Sequence, residues 1–303
     1  MAYDGESIKR VFSLVSENPI PTTPTLDILS NTLDKCCSDN LIKVYADATT
    51  DEFKNDKSTI VKSFSSATTS VTMTLQEYVN GAWTDLVVLA TNSLGTFYAL
   101  GFLPNTVGYT LDWYEVNDYN GVGAYRIKFE AVSFAGTYTT YSDQYCLSLY
   151  NPISVNGTVK LEWYLNGTFA DATNDERIID YGTSNLYQQI RLEGIFGKPT
   201  SEKAEEFIRY QNGKEVFLKS EQTPEYTLML KPQTPTILQL LQYQVFQQDS
   251  ILVTDYNRNN HYSWIQKDVK VTGGFAPEWD WNSLKASVEL KLTNANNNFK
   301  RRL

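Results

Sequence analysis

Acidic and aromatic side chains alternate at Glu278-Trp279-Asp280-Trp281. Glycoside hydrolysis needs only two carboxylates, one to protonate the leaving oxygen and one to act as nucleophile or base. On a strand, Glu278 and Asp280 would share one face and the tryptophans the other, so a sugar could stack beside two acids. A strand with one buried and one wet face writes the same pattern, and that is the expected reading. His261, the single histidine, lies in the polar stretch Asn259-Asn260-His261-Tyr262. Any Ser-His-Asp or Cys-His unit would have to use it, and no Gly-x-Ser-x-Gly elbow presents a serine. One histidine and three scattered cysteines do not make a zinc site. No Gly-x-x-x-x-Gly-Lys-Ser/Thr loop or Gly-x-Gly-x-x-Gly run offers to cradle phosphates, and Gly121-Val122-Gly123 is too short. Asp255-Tyr256-Asn257-Arg258-Asn259-Asn260 is rich in oxygen donors but lacks the acids and central glycine of a calcium loop. The expectation is a chain that is not an enzyme and takes no cofactor or metal. Tyr256, His261, Trp279 and Trp281 are expected at a partner interface.

The elements that would carry these residues read as strands. Asn-Gly occurs at 80–81, 120–121, 156–157, 166–167 and 212–213, and the pair suits the positive φ of a type I′ turn. Val71, Met73, Leu75 and Val79 alternate with polar residues before the first of these turns, and Trp83 with Leu86 to Leu89 reads as the returning strand. Glu206 to Tyr210 and Glu215 to Leu218 flank the last turn in the same way. Ala286, Val288, Leu290 and Leu292 predict a strand with one wet face. One amphipathic helix is expected over Ile237 to Phe246, with Thr234 as N-cap and Pro235 at the first position. Weaker helical patterns lie around Ile8 to Val15 and Leu26 to Leu33, separated by the extended, proline-broken Asn18 to Pro24. Asp47 to Lys57 reads as a polar loop.

The chain has 303 residues and an aromatic share of 13%, a balance that favours strands and interfaces. Its formal charge is 26 − 35 = −9, so direct binding to nucleic acid or an anionic membrane is not expected. No stretch approaches the ~20 apolar residues of a membrane span, and the first residues lack the basic flank and apolar run of a signal peptide. Cys36, Cys37 and Cys146 read as three reduced thiols packed as small hydrophobes in a reducing cytosol. Asn156-Gly157-Thr158 and Asn166-Gly167-Thr168 therefore read as turns rather than glycosylation sites. The expected fold is mainly β, with two β-sandwich-like domains over 1–152 and 153–303 and one helix in the second. Lys300-Arg301-Arg302 reads as a frayed end or docking tail.

Several segments carry a family likeness together. They are Tyr109-Thr110-Leu111-Asp112-Trp113-Tyr114 with Gly121-Val122-Gly123-Ala124-Tyr125-Arg126, Tyr141-Ser142-Asp143-Gln144-Tyr145-Cys146-Leu147, and Gln188-Gln189-Ile190-Arg191-Leu192-Glu193-Gly194 with Thr254-Asp255-Tyr256-Asn257. Over about residues 35 to 300 the chain resembles the neck or tail ring proteins of crAss-like tailed phages infecting Bacteroidetes. The resemblance implies a non-enzymatic virion subunit, made in the host cytoplasm, that joins portal and tail. It implies a homo-oligomeric ring of about twelve or about six copies. The alternative from a different class is a receptor- or carbohydrate-binding tail module, with Trp83, Trp279 and Trp281 as stacking platforms. Segments through Pro24, from Thr254 to Tyr262 and from Lys300 to Leu303 are expected to order only against neighbours.

Overall fold

The structure is a computed structural model that describes residues 42–50, 52, 54–64, 68–99, 106–165, 168–169, 179–180, 186–197, 200–211, 213–257, 266–280, 285–295 and 299–302. The helical patterns near Ile8 and Leu26, the proline-broken segment, Asn166-Gly167, His261 and Trp281 lie outside the described residues. The chain forms two compact units, Met1–Asn151 with Tyr164–Gln189 and Pro152–Trp163 with Ile190–Leu303. The first crossing thus falls at Asn151, and two more follow, so each unit is built from two stretches of sequence.

In the first unit the order is β1 Ile42–Ala46, β2 Lys57–Ser63, β3 Thr68–Val79, β4 Ala82–Val88, β5 Gly95–Ala99, β6 Thr106–Asp112, α1 Trp113–Asn120, β7 Gly123–Ser133 and β8 Gly136–Leu149. A five-stranded sheet runs β1-β8-β7-β3-β4 and a three-stranded sheet runs β2-β6-β5. Met73, Leu75, Ile127, Phe129, Tyr145 and Leu147 from the larger sheet share one core with Ile60, Tyr109 and Leu111 from the smaller. Trp113 and Val116 of α1 fill the same core. Two sheets over one apolar layer is the sandwich arrangement the strand patterning called for.

Asn80 at φ 49° and Gly81 at φ 85° make the expected hairpin turn between β3 and β4. Asn120-Gly121 does something else. It ends α1, where Gly121 at φ 84° donates its N–H to the Asn117 carbonyl at 2.9 Å. A helix stop and a type I′ turn ask for the same positive φ, so the dipeptide cannot tell them apart. Asp112 begins α1 by accepting the Tyr114 N–H at 3.0 Å. The polar loop after β1 is pinned rather than loose. Asp56 is buried, and its carboxylate accepts the Tyr45 N–H and the Gln189 amide, each at 3.0 Å.

Of the three cysteines, only Cys146 falls among the described residues, and it is buried on β8 and disulfide-bonded. That corrects the reading of it as a reduced thiol. A disulfide is a long-range bond, and no local pattern around one cysteine names its partner.

The remaining strands are β9 Thr158–Leu165, β10 Thr168–Phe169, β11 Ile179–Asp180, β12 Leu186–Phe196, β13 Thr200–Arg209, β14 Glu215–Gln233, β15 Ile251–Asp255, β16 Gln266–Val271, β17 Glu278–Asp280, β18 Lys285–Asn294 and β19 Phe299–Arg302. The ladder β14-β12-β9-β15-β16-β18 returns to β14, so the second unit's sheet closes into a barrel. Closure removes the edges of those strands. Val159, Leu161 and Trp163, Leu228 and Leu230, Val253, and Val288 and Leu290 are buried along it. Mainly β structure in two units therefore holds, with the second closed on itself.

The predicted helix is present as α2 Pro235–Leu240 running into a π-helical turn, Leu241–Val245. Thr234 holds the N-cap position with extended backbone, although its side chain makes no capping bond, and Pro235 opens the first turn. Leu238, Leu241 and Val245 are buried, and α2 packs on β18. Leu241 is 0% exposed, so Leu241→Ala is expected to cost ~2–5 kcal/mol through lost transfer energy and the cavity left behind. Urea unfolding of the variant checks this; a loss below ~0.5 kcal/mol would be a surface value.

Candidate assembly interface

β14 is 19 residues long and leads two lives. Its C-terminal half, from Glu225, pairs with β12 and β18 inside the barrel. Its N-terminal half pairs with β13, from Thr200 opposite Glu225 to Arg209 opposite Glu215, and with β19 over Lys219 to Gln222. Residues 215–224 thus form an arm of about 30 Å at the rise of an extended strand. The residues flanking Asn212-Gly213 form the expected hairpin, with Gly213 at φ 78° and the Tyr210 N–H bonded to the Lys214 carbonyl at 2.9 Å.

The tip of the arm is apolar and uncovered. Phe207 is 49%, Ile208 44% and Tyr210 52% exposed. Phe207 stands opposite Phe217, ring centroids 5.7 Å apart in an edge-to-face pair, and Ile208 stands opposite Val216. Successive strand residues point to opposite faces, so both faces of the ribbon carry apolar side chains. A bulge between Glu206 and Phe207 marks where charge gives way to this apolar tip. Beyond Lys219 the arm is a two-stranded ribbon, a structure that is marginally stable in water by itself. β13 is also the last strand of its sheet, and such an edge is a ready partner for another chain. In the first unit, the β7–β8 hairpin turns on Phe134, which is 95% exposed, with Val132 and Tyr138 exposed beside it. A phenylalanine in a two-residue turn, where glycine, asparagine and aspartate are usual, was the sequence signal for that surface.

The interface residues expected from the sequence fare differently. Trp279 is exposed on β17, an edge strand paired only with β18 among the described residues, as are Glu278 and Asp280. All three being exposed, the strand has no buried face. Tyr256 is buried: the Arg191 guanidinium sits 4.3 Å over its ring, and its N–H donates to the Thr158 carbonyl at 3.1 Å. It is therefore corrected from a docking residue to a packing one. His261 and Trp281 lie outside the described residues. Trp83, offered as a sugar platform, has its face taken by Arg126, whose guanidinium lies 4.4 Å from that ring and 3.8 Å from the ring of Tyr141. Burial holds the Arg126 pKa below its ordinary value. The lysine beside Asp85, Lys128, holds that carboxyl below the usual carboxylate range.

The described parts of two segments expected to await a neighbour, Thr254 to Asn257 and Lys300 to Arg302, are held within the chain. Thr254 and Asp255 are buried in β15, because Thr254 pairs with both Lys160 and Gln266. The basic tail forms β19 along the arm instead of fraying. Among the described residues no three His, Cys, Asp or Glu side chains gather to hold a metal, and no helix is long and apolar enough to cross a membrane. No family model matches the sequence, and no curated protein matches it either.

Proposed function

We propose that this chain is a structural virion subunit, a ring component in the neck or tail of a tailed phage, in line with the family it resembles. The observation that supports this best is the arm, whose tip leaves Phe207 and Ile208, on opposite faces of the ribbon, and Tyr210 each about half exposed. A closed ring needs two different complementary surfaces on each subunit, because its contacts are heterologous. The arm supplies a surface of one kind, and strand addition at an exposed edge is a general way to receive such an element. On this reading the neighbours are further copies, about twelve or about six to the ring, together with portal and tail proteins. The chain performs no reaction.

Purified protein imaged by negative-stain electron microscopy, with its mass measured in solution, tests the reading. Rings of a single closed symmetry are the expected result. A chain that stays monomeric at high concentration and is missing from virions would overturn it.

A further inference from the structure

We propose that a cavity in the first unit binds a single neutral sugar ring, a role separate from assembly. The cavity holds about 200 Å³ and is walled by Tyr98, Tyr164 and Tyr187, with Lys57, Thr110 and Asp112 among its polar lining. Tyr164 and Tyr187, from the return segment of that unit, meet edge to face with centroids 5.5 Å apart. Tyr164 is 51% exposed, so one aromatic wall is open to an incoming ligand. The negative face of an aromatic ring attracts the weakly positive C–H groups on one side of a pyranose, by the same quadrupole that orders aromatic pairs.

The polar side of the cavity is built to read hydroxyls. Lys57 and Asp112 stand opposite one another on β2 and β6, with Nζ 3.3 Å from Oδ2. Asp112 is held in place, since its Oδ1 accepts the Tyr114 N–H of α1 at 3.0 Å. A hydroxyl placed between the two charges would donate to Oδ2 and accept from Nζ, and an adjacent hydroxyl could use the ammonium's further donors. The Tyr98 hydroxyl lies 3.5 Å from Thr110 Oγ1, a long contact that leaves it capacity to donate. Opposite charges side by side cancel at a distance, so an anion gains little. An apolar ligand would strip water from both without replacing its hydrogen bonds. The volume falls below the roughly 300–1,000 Å³ of drug-sized pockets, which limits the occupant to one ring.

Titration of the full chain with methyl glycosides of galactose, glucose, mannose and N-acetylglucosamine, followed by saturation-transfer NMR, tests this. Glucuronate and cyclohexanol serve as anionic and apolar comparators. Saturable binding of at least one neutral glycoside is expected, with a Kd of about 1 mM. Tyr164→Ala, at a half-exposed position that should not disturb folding, is expected to weaken it about tenfold. Trp279→Ala should leave it unchanged. No saturable binding by any neutral glycoside would overturn the proposal. So would tighter binding of glucuronate or cyclohexanol, full binding by folded Tyr164→Ala, or loss that follows Trp279 instead.

Discussion

Replacing Phe207 and Ile208 together with serine is expected to abolish the assembled species while leaving the monomer's unfolding midpoint where it was. The two halves of that result have separate causes. Both side chains are close to half exposed, so within one chain they contribute little, and surface changes of this kind fall within about ±0.5 kcal/mol. At an interface the same atoms would be fully desolvated. Burying a phenylalanine or isoleucine completely is worth ~1.5–3 kcal/mol, and here about half of each remains to be gained. A loss of about 2 kcal/mol at every contact weakens each contact some thirtyfold, by the usual 1.4 kcal/mol per factor of ten. A ring repeats the contact around its circumference, so the losses multiply. Sedimentation of the variant against the parent chain measures this directly. A variant that sediments with the parent's assembled species would place the interface elsewhere. A second variant guards against misfolding at the bulge: excising residues 207–218 and joining Glu206 to Lys219 through Asn-Gly should also give monomers, because those two residues pair and a two-residue type I′ turn suits the shortened hairpin.

How far the arm and the barrel could be foreseen depends on the range of the interaction that makes them. The strand of residues 285–292 was legible because alternation is local: each second residue faces the core, and the pattern needs no knowledge of the neighbour. The helix beginning at Pro235 was legible for the same reason. Barrel closure was not, since it rests on Leu228 finding Leu290 across some sixty positions of chain, and nothing in either strand names the other. The disulfide at Cys146 was equally hidden, since nothing around one cysteine names its partner. Asn120-Gly121 misled because one backbone requirement serves two structures. The candidate site divides along this line as well. Exposed Trp279 needed only an edge strand, whereas Tyr256 is buried by Arg191 arriving from β12. The cavity could not be read at all: Lys57, Asp112 and Tyr187 meet through pairing in β2–β6 and a return segment more than seventy residues further on.

The first unit is expected to lose its stability steeply between pH about 10 and about 12. Three tyrosines of its core set this. Tyr109 and Tyr125 are 1% and 0% exposed, and burial pushes both hydroxyls up to about 12; Glu77 beside Tyr125 adds in the same direction. Tyr145 is raised too, again mainly by burial. In the unfolded chain these groups ionise near the ordinary 10. Above that pH the unfolded state has shed protons that the folded state still holds, so stability falls as pH rises and is intact only below about 10. Holding a proton from pH about 10 to about 12 corresponds to at most about 3 kcal/mol for Tyr125, and to less for Tyr109, whose hydroxyl solvent screens more. Tyr125 has a further stake in its proton, because its hydroxyl donates to the Gly121 carbonyl at 2.7 Å and so ties β7 to the end of α1. Ionisation would turn that donor into a charge facing an oxygen. Urea midpoints measured across this window, with tyrosinate absorbance followed in parallel, should show both transitions moving together. Converting Tyr109 and Tyr125 to phenylalanine should flatten the profile even if it lowers the stability near neutrality, since a phenyl ring has no proton to lose. A profile that is already flat in the parent chain, or tyrosinate from these residues appearing near pH 10 in protein that remains folded, would show that the core does not hold these hydroxyls as described.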